Sequence, residues 1–326
     1  MGPVQQMSID VLLKIEEEKQ PGEGEDAAVS WVSWQSADSQ SALIASLDGL
    51  GGSGAKRYPN AKNWTGARLS SFSCGRALVK WFHDNQIGKL GLQGYALEKI
   101  RDSLGQVLHE CVEQLAKQPS PIQDSRIVSS MVRSFPTTVA AVLLSAEQET
   151  ARILFLWAGD SRCYLLTKSG LCQMTRDDLK KNIDPFDNLI KDGVMSNVVC
   201  KEGFHIHCIE KRVAEPFMVI TATDGCFGYL TSPMAFEGLL LETLQDSNTP
   251  LEWEGKLREA IGAVTGDDYT LQAAAVGFCD FAMLKQYYLN AWEKFQHLYG
   301  SRLRSAGNEE ALRSIWNEYK LEYMGE

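Results

Sequence analysis

The sequence predicts an α+β protein built on antiparallel sheet, and three observations carry that prediction. Between residues 139 and 175 short apolar runs follow one another across tight polar turns, the pattern of hairpins and not of βαβ crossovers. From Tyr95 to Lys117, Leu97, Ile100, Leu104, Leu108, Cys111 and Leu115 recur at spacings of three and four, the stripe of an amphipathic helix. Asp48 and Asp224 end apolar runs and Asp267 precedes another, so one sheet edge would gather them.

In chain order, residues 8–19 read as a short amphipathic helix (Ile9, Leu12, Leu13, Ile15), ended by Pro21 and the Gly22–Gly24 loop. Ala27 to Trp34 reads as a strand. A turn at Ala37-Asp38-Ser39 leads to its hairpin partner, Ser41 to Ala45, which carries Asp48. Leu69, Phe72, Leu78 and Phe82 place a helix between Trp64 and Asp84. The stronger helix ending near Lys117 is closed by Pro119 and Pro121. Val139–Leu144, Arg152–Trp157, Cys163–Leu166 and Leu171–Thr175 are strands, with polar turns at 147–150 and 168–170 and Gly159-Asp160-Ser161-Arg162 between the second and third.

Residues 177–215 are charged and aperiodic, an irregular excursion. A buried strand from Pro216 ends in Thr223-Asp224-Gly225, helices follow over 233–244 and 251–264, and Asp267-Asp268 opens the strand Tyr269–Phe278. Beyond Phe281 aromatic residues stripe two helices (Leu284, Tyr288, Trp292, Phe295, Tyr299; then Leu312, Ile315, Trp316, Tyr319, Tyr323). Such stripes pack onto a domain more often than they bind a partner.

Composition excludes several classes. A net charge of -10 argues against a nucleic-acid backbone binder. No apolar run is long enough to span a bilayer, and the N-terminus lacks a basic-then-apolar signal. The eight cysteines are dispersed without a CxxC pair, which reads as reduced thiols in a cytoplasmic protein. Cys200, His205, His207 and Cys208 could be drawn as a zinc site, but Cys200 is remote from the histidines. Solvent-facing histidines and a buried thiol are favoured there.

Two readings compete for Ser46-Leu47-Asp48-Gly49-Leu50-Gly51-Gly52-Ser53-Gly54. Gly49-x-Gly51-x-x-Gly54 after a strand matches a dinucleotide fingerprint, whereas a carboxylate on a glycine hinge suits a metal ligand. The fingerprint needs a helix and an acidic residue about 20 positions on. Pro59 interrupts, and no acidic residue follows Asp48 before Asp84. For Asp48, Asp224 and Asp267 the residues alone leave two options, a magnesium- or manganese-type oxygen site and turn aspartates capping their neighbours.

Glu25-Asp26-Ala27, Leu47-Asp48-Gly49-Leu50-Gly51-Gly52, Gly159-Asp160-Ser161-Arg162, Thr223-Asp224-Gly225 and Asp267-Asp268-Tyr269-Thr270 stand in the order of the motifs of the metal-dependent (type 2C) protein phosphatases, and the chain resembles a bacterial-type member. The resemblance spans about residues 22–280. It leaves 1–21 as an N-terminal helical segment and 281–326 as an aromatic-rich helical C-terminal extension. It implies a central antiparallel β-sandwich flanked by helices (αββα), with two Mn2+ or Mg2+ ions at one edge. Asp48 would bridge the ions, the Gly49 carbonyl would bind one, Asp224 and Asp267 would complete a shell, and Glu25 and Asp26 would act through water. Catalysis would rest on Asp48, Asp224 and Asp267, and residues 177–215 would form the variable flap beside the site.

The implied activity is hydrolysis of phosphoserine and phosphothreonine in a phosphoprotein substrate, without nucleic acid or membrane. A hydrolase of small phosphorylated molecules is a further option. Three departures motivate a rival, a regulatory pseudophosphatase that binds a partner, with the C-terminal extension as a partner surface. Pro21 replaces a phosphate-gripping arginine, for which Lys19, Lys56 or Arg57 would substitute. Leu50 replaces a leaving-group histidine, and Gly228 replaces a third-metal aspartate. Pro136-Thr137-Thr138 and Arg162 read as structural.

Overall fold

In a computed structural model of the chain, the described residues are 7–36, 39–85, 87, 91–92, 94–118, 133–146, 149–181, 184–190 and 193–325. The positions expected to turn at Ala37-Asp38 and Glu147-Gln148, and the helix-ending Pro119 and Pro121, lie outside them.

Two five-stranded antiparallel sheets form the centre. The first contains β1 (Ile9–Glu17), β8 (Arg162–Thr167), β9 (Gly170–Gln173), β11 (Phe217–Ala222) and β12 (Tyr269–Val276), in the order β1-β12-β11-β8-β9. The second contains β2 (Ala27–Ser36), β3 (Ser39–Leu47), β6 (Val139–Ala146), β7 (Ala151–Ala158) and β10 (His207–Val213), in the order β10-β7-β6-β3-β2. A small ribbon, β4 (Arg57–Tyr58) with β5 (Trp64–Thr65), stands apart from both.

Alternation along the strands sorts side chains into layers. Ala42, Ile44, Val142, Ile153 and Phe155 of the second sheet meet Cys163, Leu165, Phe217, Val219 and Ala274 of the first in the middle layer. The opposite residues of the second sheet, Leu43, Leu47, Leu143, Leu154 and Leu156, pack under α1 (Gly66–Asp84) and α2 (Leu97–Ala116). On the far side of the first sheet, Leu13, Ile15, Tyr164, Leu166, Ile220 and Leu271 lie under the remaining helices. Four layers, helix–sheet–sheet–helix, result: an α+β fold with a central β-sandwich. Both faces of each sheet are covered, which is why several strands read as unbroken apolar runs despite being antiparallel.

The helix expected over residues 8–19 is the strand β1, paired antiparallel to β12 from Ile9–Val276 to Glu17–Tyr269. Ile9, Leu13 and Ile15 are buried while Asp10, Lys14 and Glu16 are exposed, a period of two. Leu12 falls at an irregularity between Val11 and Leu13, and that extra apolar residue imitates helical spacing. The local preference of Leu, Lys and Glu for helix yields to the open edge of β12.

Residues 177–215 are not wholly irregular. They hold a short helix, α3 (Pro185–Ile190), and end in β10, which pairs with β7 from His207–Trp157 to Val213–Ala151. As an edge strand with polar residues outward, β10 lacks the apolar run that marks its neighbours.

The other long helices among the described residues are α4 (Pro233–Gln245), α5 (Pro250–Gly262), α6 (Phe281–Phe295) and α7 (Glu309–Met324). Side-chain caps start three of them: Thr249 accepts from Glu252 N, Asp280 from Met283 N and Asn308 from Ala311 N. The aromatic stripe after residue 281 packs inward. Tyr288, Phe295, Ile315, Trp316, Tyr319 and Tyr323 are buried in the same core as α4 and the first sheet. Polar tips find partners there, Tyr288 Oη on Leu166 O at 2.8 Å and Trp316 Nε1 on Asp184 Oδ1 at 2.7 Å. No described helix is long and apolar enough to cross a membrane.

Candidate metal centre at the sandwich edge

Register delivers the acidic residues to one edge. Ala27 pairs with Leu47, so Asp26 and Asp48 are neighbours at the end of the second sheet. Ala222 pairs with both Arg162 and Leu271, which places Asp224, Asp160 and the Asp267-Asp268 turn together at the end of the first. The sheets contribute from both sides of the sandwich, so their packing sets the site.

Asp48 is held by its backbone. Its N–H donates to Thr138 Oγ1 at 3.0 Å, and its carbonyl accepts from Thr138 N at 2.8 Å and Thr137 Oγ1 at 2.9 Å. Thr138 Oγ1 also shares a 2.6 Å hydrogen bond with Ser161 Oγ, tying Asp48 to the turn that carries Asp160. Pro136-Thr137-Thr138 thus has the structural role its sequence suggests. Gly49 is required by close approach: a Cβ there would lie 2.7 Å from Glu25 O and 2.8 Å from Ala67 O. At Gly225 a Cβ would fall 1.9 Å from Asp268 O, so Asp224 reaches the edge only because glycine follows it.

Asp26 is buried and accepts from Thr223 Oγ1 at 2.7 Å. Glu25 Oε1 accepts from Thr65 Oγ1. Asp268 has a definite task. Its Oδ1 accepts from Lys19 N at 2.7 Å and its Oδ2 from Glu25 N at 2.8 Å, pinning the β1–β2 loop beside the site. Asp267 is exposed and accepts from Asp268 N at 2.9 Å.

The electrostatics of the edge are those of buried carboxylates that repel one another. Burial pushes Asp48 well above the usual carboxylate range, and Asp224, Asp26, Asp160 and Asp267 push it further. Asp26 and Asp160 are raised well above their ordinary values, first by burial and then by Asp224. Asp224 rises to about 6, by burial and then by Asp267. Asp160 Oδ1 is buried without a hydrogen-bond partner among the described residues. An all-oxygen donor set, mutual repulsion and an orphaned carboxylate oxygen together fit a hard divalent cation.

A cavity of about 500 Å3 opens beside Asp160 and Asp224, bordered by Leu179, Asn188 and Gly193 of the excursion and by Gly228 and Tyr229. Arg162 lines it too but is committed: its Nε and Nη2 bind Asp177 at 3.0 and 2.7 Å, and Phe227 lies under the guanidinium at 4.1 Å. Arg57 pairs with Glu23 and donates to Asn63 O at 3.1 Å, while Lys56 sits 6.0 Å from the Tyr58 ring centre. Neither lines this cavity.

Asp160 is the edge residue that sequence reasoning undervalued. Its Gly-Asp-Ser-Arg motif was visible, but only the register of β8 against β11 shows that it faces Asp224. Among the described residues, the one group of three or more His, Cys, Asp or Glu with ligand atoms all within 4.8 Å of one another lies elsewhere: Asp178, His205 and His207. Asp48, Asp224 and Asp267 are therefore more widely spread than that. The Asp178 contact was not legible in the chain, because His205 stands 27 residues after Asp178.

No protein-family model and no curated protein matches the sequence. Solved structures do match the fold. The serine/threonine phosphatase PstP/Ppp of Mycobacterium tuberculosis superposes with a TM-score of 0.56 at 17% identity, covering 82% of this chain and 97% of that one. The PstP catalytic domain in complex with two manganese ions gives 0.57 at 18% identity, over 83% of this chain and 99% of that one. Stp1 of Staphylococcus aureus gives 0.55 at 13% identity, over 82% and 94%. The fold expected from the five ordered motifs is the fold present, that of the bacterial type 2C serine/threonine phosphatases.

Proposed function

We propose that this protein is a metal-dependent phosphatase of phosphoserine and phosphothreonine in proteins. The observation that carries the reading is the convergence of Asp26, Asp48, Asp160, Asp224 and Asp267 from both sheets on one edge, each with a raised pKa. Those shifts mean that the ring favours either protons or cations.

Asp48, the Gly49 carbonyl, Asp224 and Asp267 would hold two Mn2+ or Mg2+ ions, with Glu25 and Asp26 acting through water. Such ions would supply a bound water acidic enough to serve as hydroxide near neutral pH. The chain's own work is positional. Thr137 and Thr138 fix the Asp48 backbone, Thr223 orients Asp26, and Asp268 holds the Glu25 main chain. The excursion borders the cavity next to Asp160 and Asp224, and its Leu179 and Asn188 would meet the polypeptide around the phosphate. In this reading residues 22–280, with β1 as an edge strand of the first sheet, form the catalytic unit, and α7 braces it through Tyr323 on Arg162 and Tyr319 on Glu237. A protein partner at 281–326 would use what the stripe leaves outside, such as Leu298 and Leu321, 38% and 56% exposed.

The competing pseudophosphatase is favoured by specific observations. Leu50 offers no proton to a leaving group, and Arg57, a candidate phosphate ligand, is already paired with Glu23. Hydrolysis of p-nitrophenyl phosphate separates the two readings. Manganese-dependent turnover that chelation stops and Asp48→Ala abolishes supports the enzyme. Folded protein without turnover at any manganese concentration makes it a pseudophosphatase.

A further inference from the structure

Outside the sandwich edge, two imidazoles and a carboxylate converge where the excursion rejoins the second sheet. We propose that Asp178, His205 and His207 form a separate divalent-cation site of the zinc class. His207 Nε2 lies 2.8 Å from Asp178 Oδ1, and the His205 and His207 rings meet edge to face with centres 4.4 Å apart. One ligand atom from each of the three falls within 4.8 Å of the other two. Tetrahedral zinc with Zn–N and Zn–O near 2.0–2.1 Å needs ligand atoms about 3.3 Å apart. His207 and Asp178 open slightly to reach that spacing, and exposed His205 closes in.

The surroundings are those of a prepared site and not of a solvated hydrogen bond. Asp178 Oδ2, the oxygen turned away from His207, accepts from Gly159 N at 3.0 Å and Asn197 Nδ2 at 2.7 Å. Its backbone is fixed too, with its N–H on Gly159 O at 3.0 Å and its carbonyl accepting from Ser196 N at 2.7 Å. The main chain of His205 is fixed by Asn197, whose Oδ1 accepts from His205 N at 3.1 Å and whose Nδ2 donates to His205 O at 3.0 Å. Trp157 stacks on the His207 ring at 4.8 Å. Hydrogen-bonded carboxylates and oriented imidazoles are what metal sites build around their ligands. Two histidines and one carboxylate leave a fourth position open and suit zinc, cobalt or nickel better than magnesium.

The zinc set conceivable from sequence, Cys200 with His205, His207 and Cys208, is replaced in this arrangement. Cys200 Sγ donates to Gly203 O at 3.5 Å, and neither thiol belongs to the convergent group. A cation here would clamp residue 178, at the head of the excursion, to 205 and 207 at its foot. Gly159, which donates to Asp178, directly precedes Asp160, so the clamp and the sandwich edge share one turn. The site stands whether or not the protein is a phosphatase.

The test uses the full chain with Asp48→Asn and Asp224→Asn, so that the edge is disabled, titrated with Co2+ alone. The expected result is one equivalent bound, with the visible d–d absorption of a four- or five-coordinate ion. His205→Ala and His207→Ala should each weaken binding at least tenfold. Because His205 is exposed, its variant should keep the parent's melting curve, which separates lost ligation from misfolding. Zn2+ followed by histidine NMR should shift two of the five histidines. No binding, binding unchanged in both histidine variants, or a thiolate-to-cobalt charge-transfer band would each overturn the proposal.

Discussion

Thr223 Oγ1 donates to Asp26 Oδ2 at 2.7 Å, so the residue that follows β11 of one sheet holds the residue that precedes β2 of the other. Thr270 N donates to the same hydroxyl at 2.9 Å, completing a chain from β12 through Thr223 to Asp26. Thr223→Val keeps the shape and removes the hydroxyl. Asp26 then stays buried without that donor, at a cost of about 1–3 kcal/mol. Urea unfolding of the metal-free protein should show that loss. A midpoint equal to the parent's would mean that the contact does not organise the edge.

Asp268 ties down the β1–β2 loop through Lys19 N and Glu25 N. Replacing it with alanine should free the loop while leaving both sheets intact. Trypsin cleavage after Lys19 should then accelerate at least tenfold under native conditions, with little change in far-ultraviolet circular dichroism. Equal cleavage rates in variant and parent would contradict the assigned role.

Glu237 gives a pH dependence away from the edge. It is buried against Tyr319, whose hydroxyl donates to it, and burial raises its pKa from 4.5 to about 7. A carboxyl group raised in the folded state binds its proton more tightly there than in the unfolded chain. Stability from this group is greatest below pH 4.5 and falls as pH rises towards 7, by roughly 3 kcal/mol in total. Glu237→Gln should remove this group's contribution to the decline. Thermal melts from pH 5 to 7.5 with parallel slopes for parent and variant would contradict the shift.

The C-terminal helix is part of the core. Trp316, Tyr319 and Tyr323 are buried, and Tyr323 Oη lies 3.5 Å from Arg162 Nη1 behind the cavity. Each large aromatic removed from a core costs about 3–5 kcal/mol, and whole domains have only about 5–15 to lose. A chain ending at Ser305 should therefore lose its cooperative thermal transition. A sharp melt near the parent's temperature would show α7 to be an appendage.

How much of this was legible beforehand depends on where chemistry coincides with pattern. The covered strands announced themselves as apolar runs, and the long stripe from Leu97 to Leu115 became α2. The two edge elements failed for opposite reasons. β1 carries one apolar residue too many at Leu12, and β10 carries too few, because an edge strand needs only one covered face. Asp48, Asp224 and Asp267 stood out because aspartate beside a strand needs a reason, and Asp26 through the order of the motifs. Asp160 and Asp178 did not, since their importance comes from register and from contacts across long stretches of chain.

Whether the sandwich edge hydrolyses phosphate esters is decided by the rate of phosphate release from a phosphothreonine peptide against manganese concentration. Saturable activation by manganese is expected in the parent, with a fall of at least about 10³-fold in Asp224→Asn, several kcal/mol of lost electrostatic stabilisation. Activity independent of manganese, or an Asp224→Asn variant as fast as the parent, would contradict it.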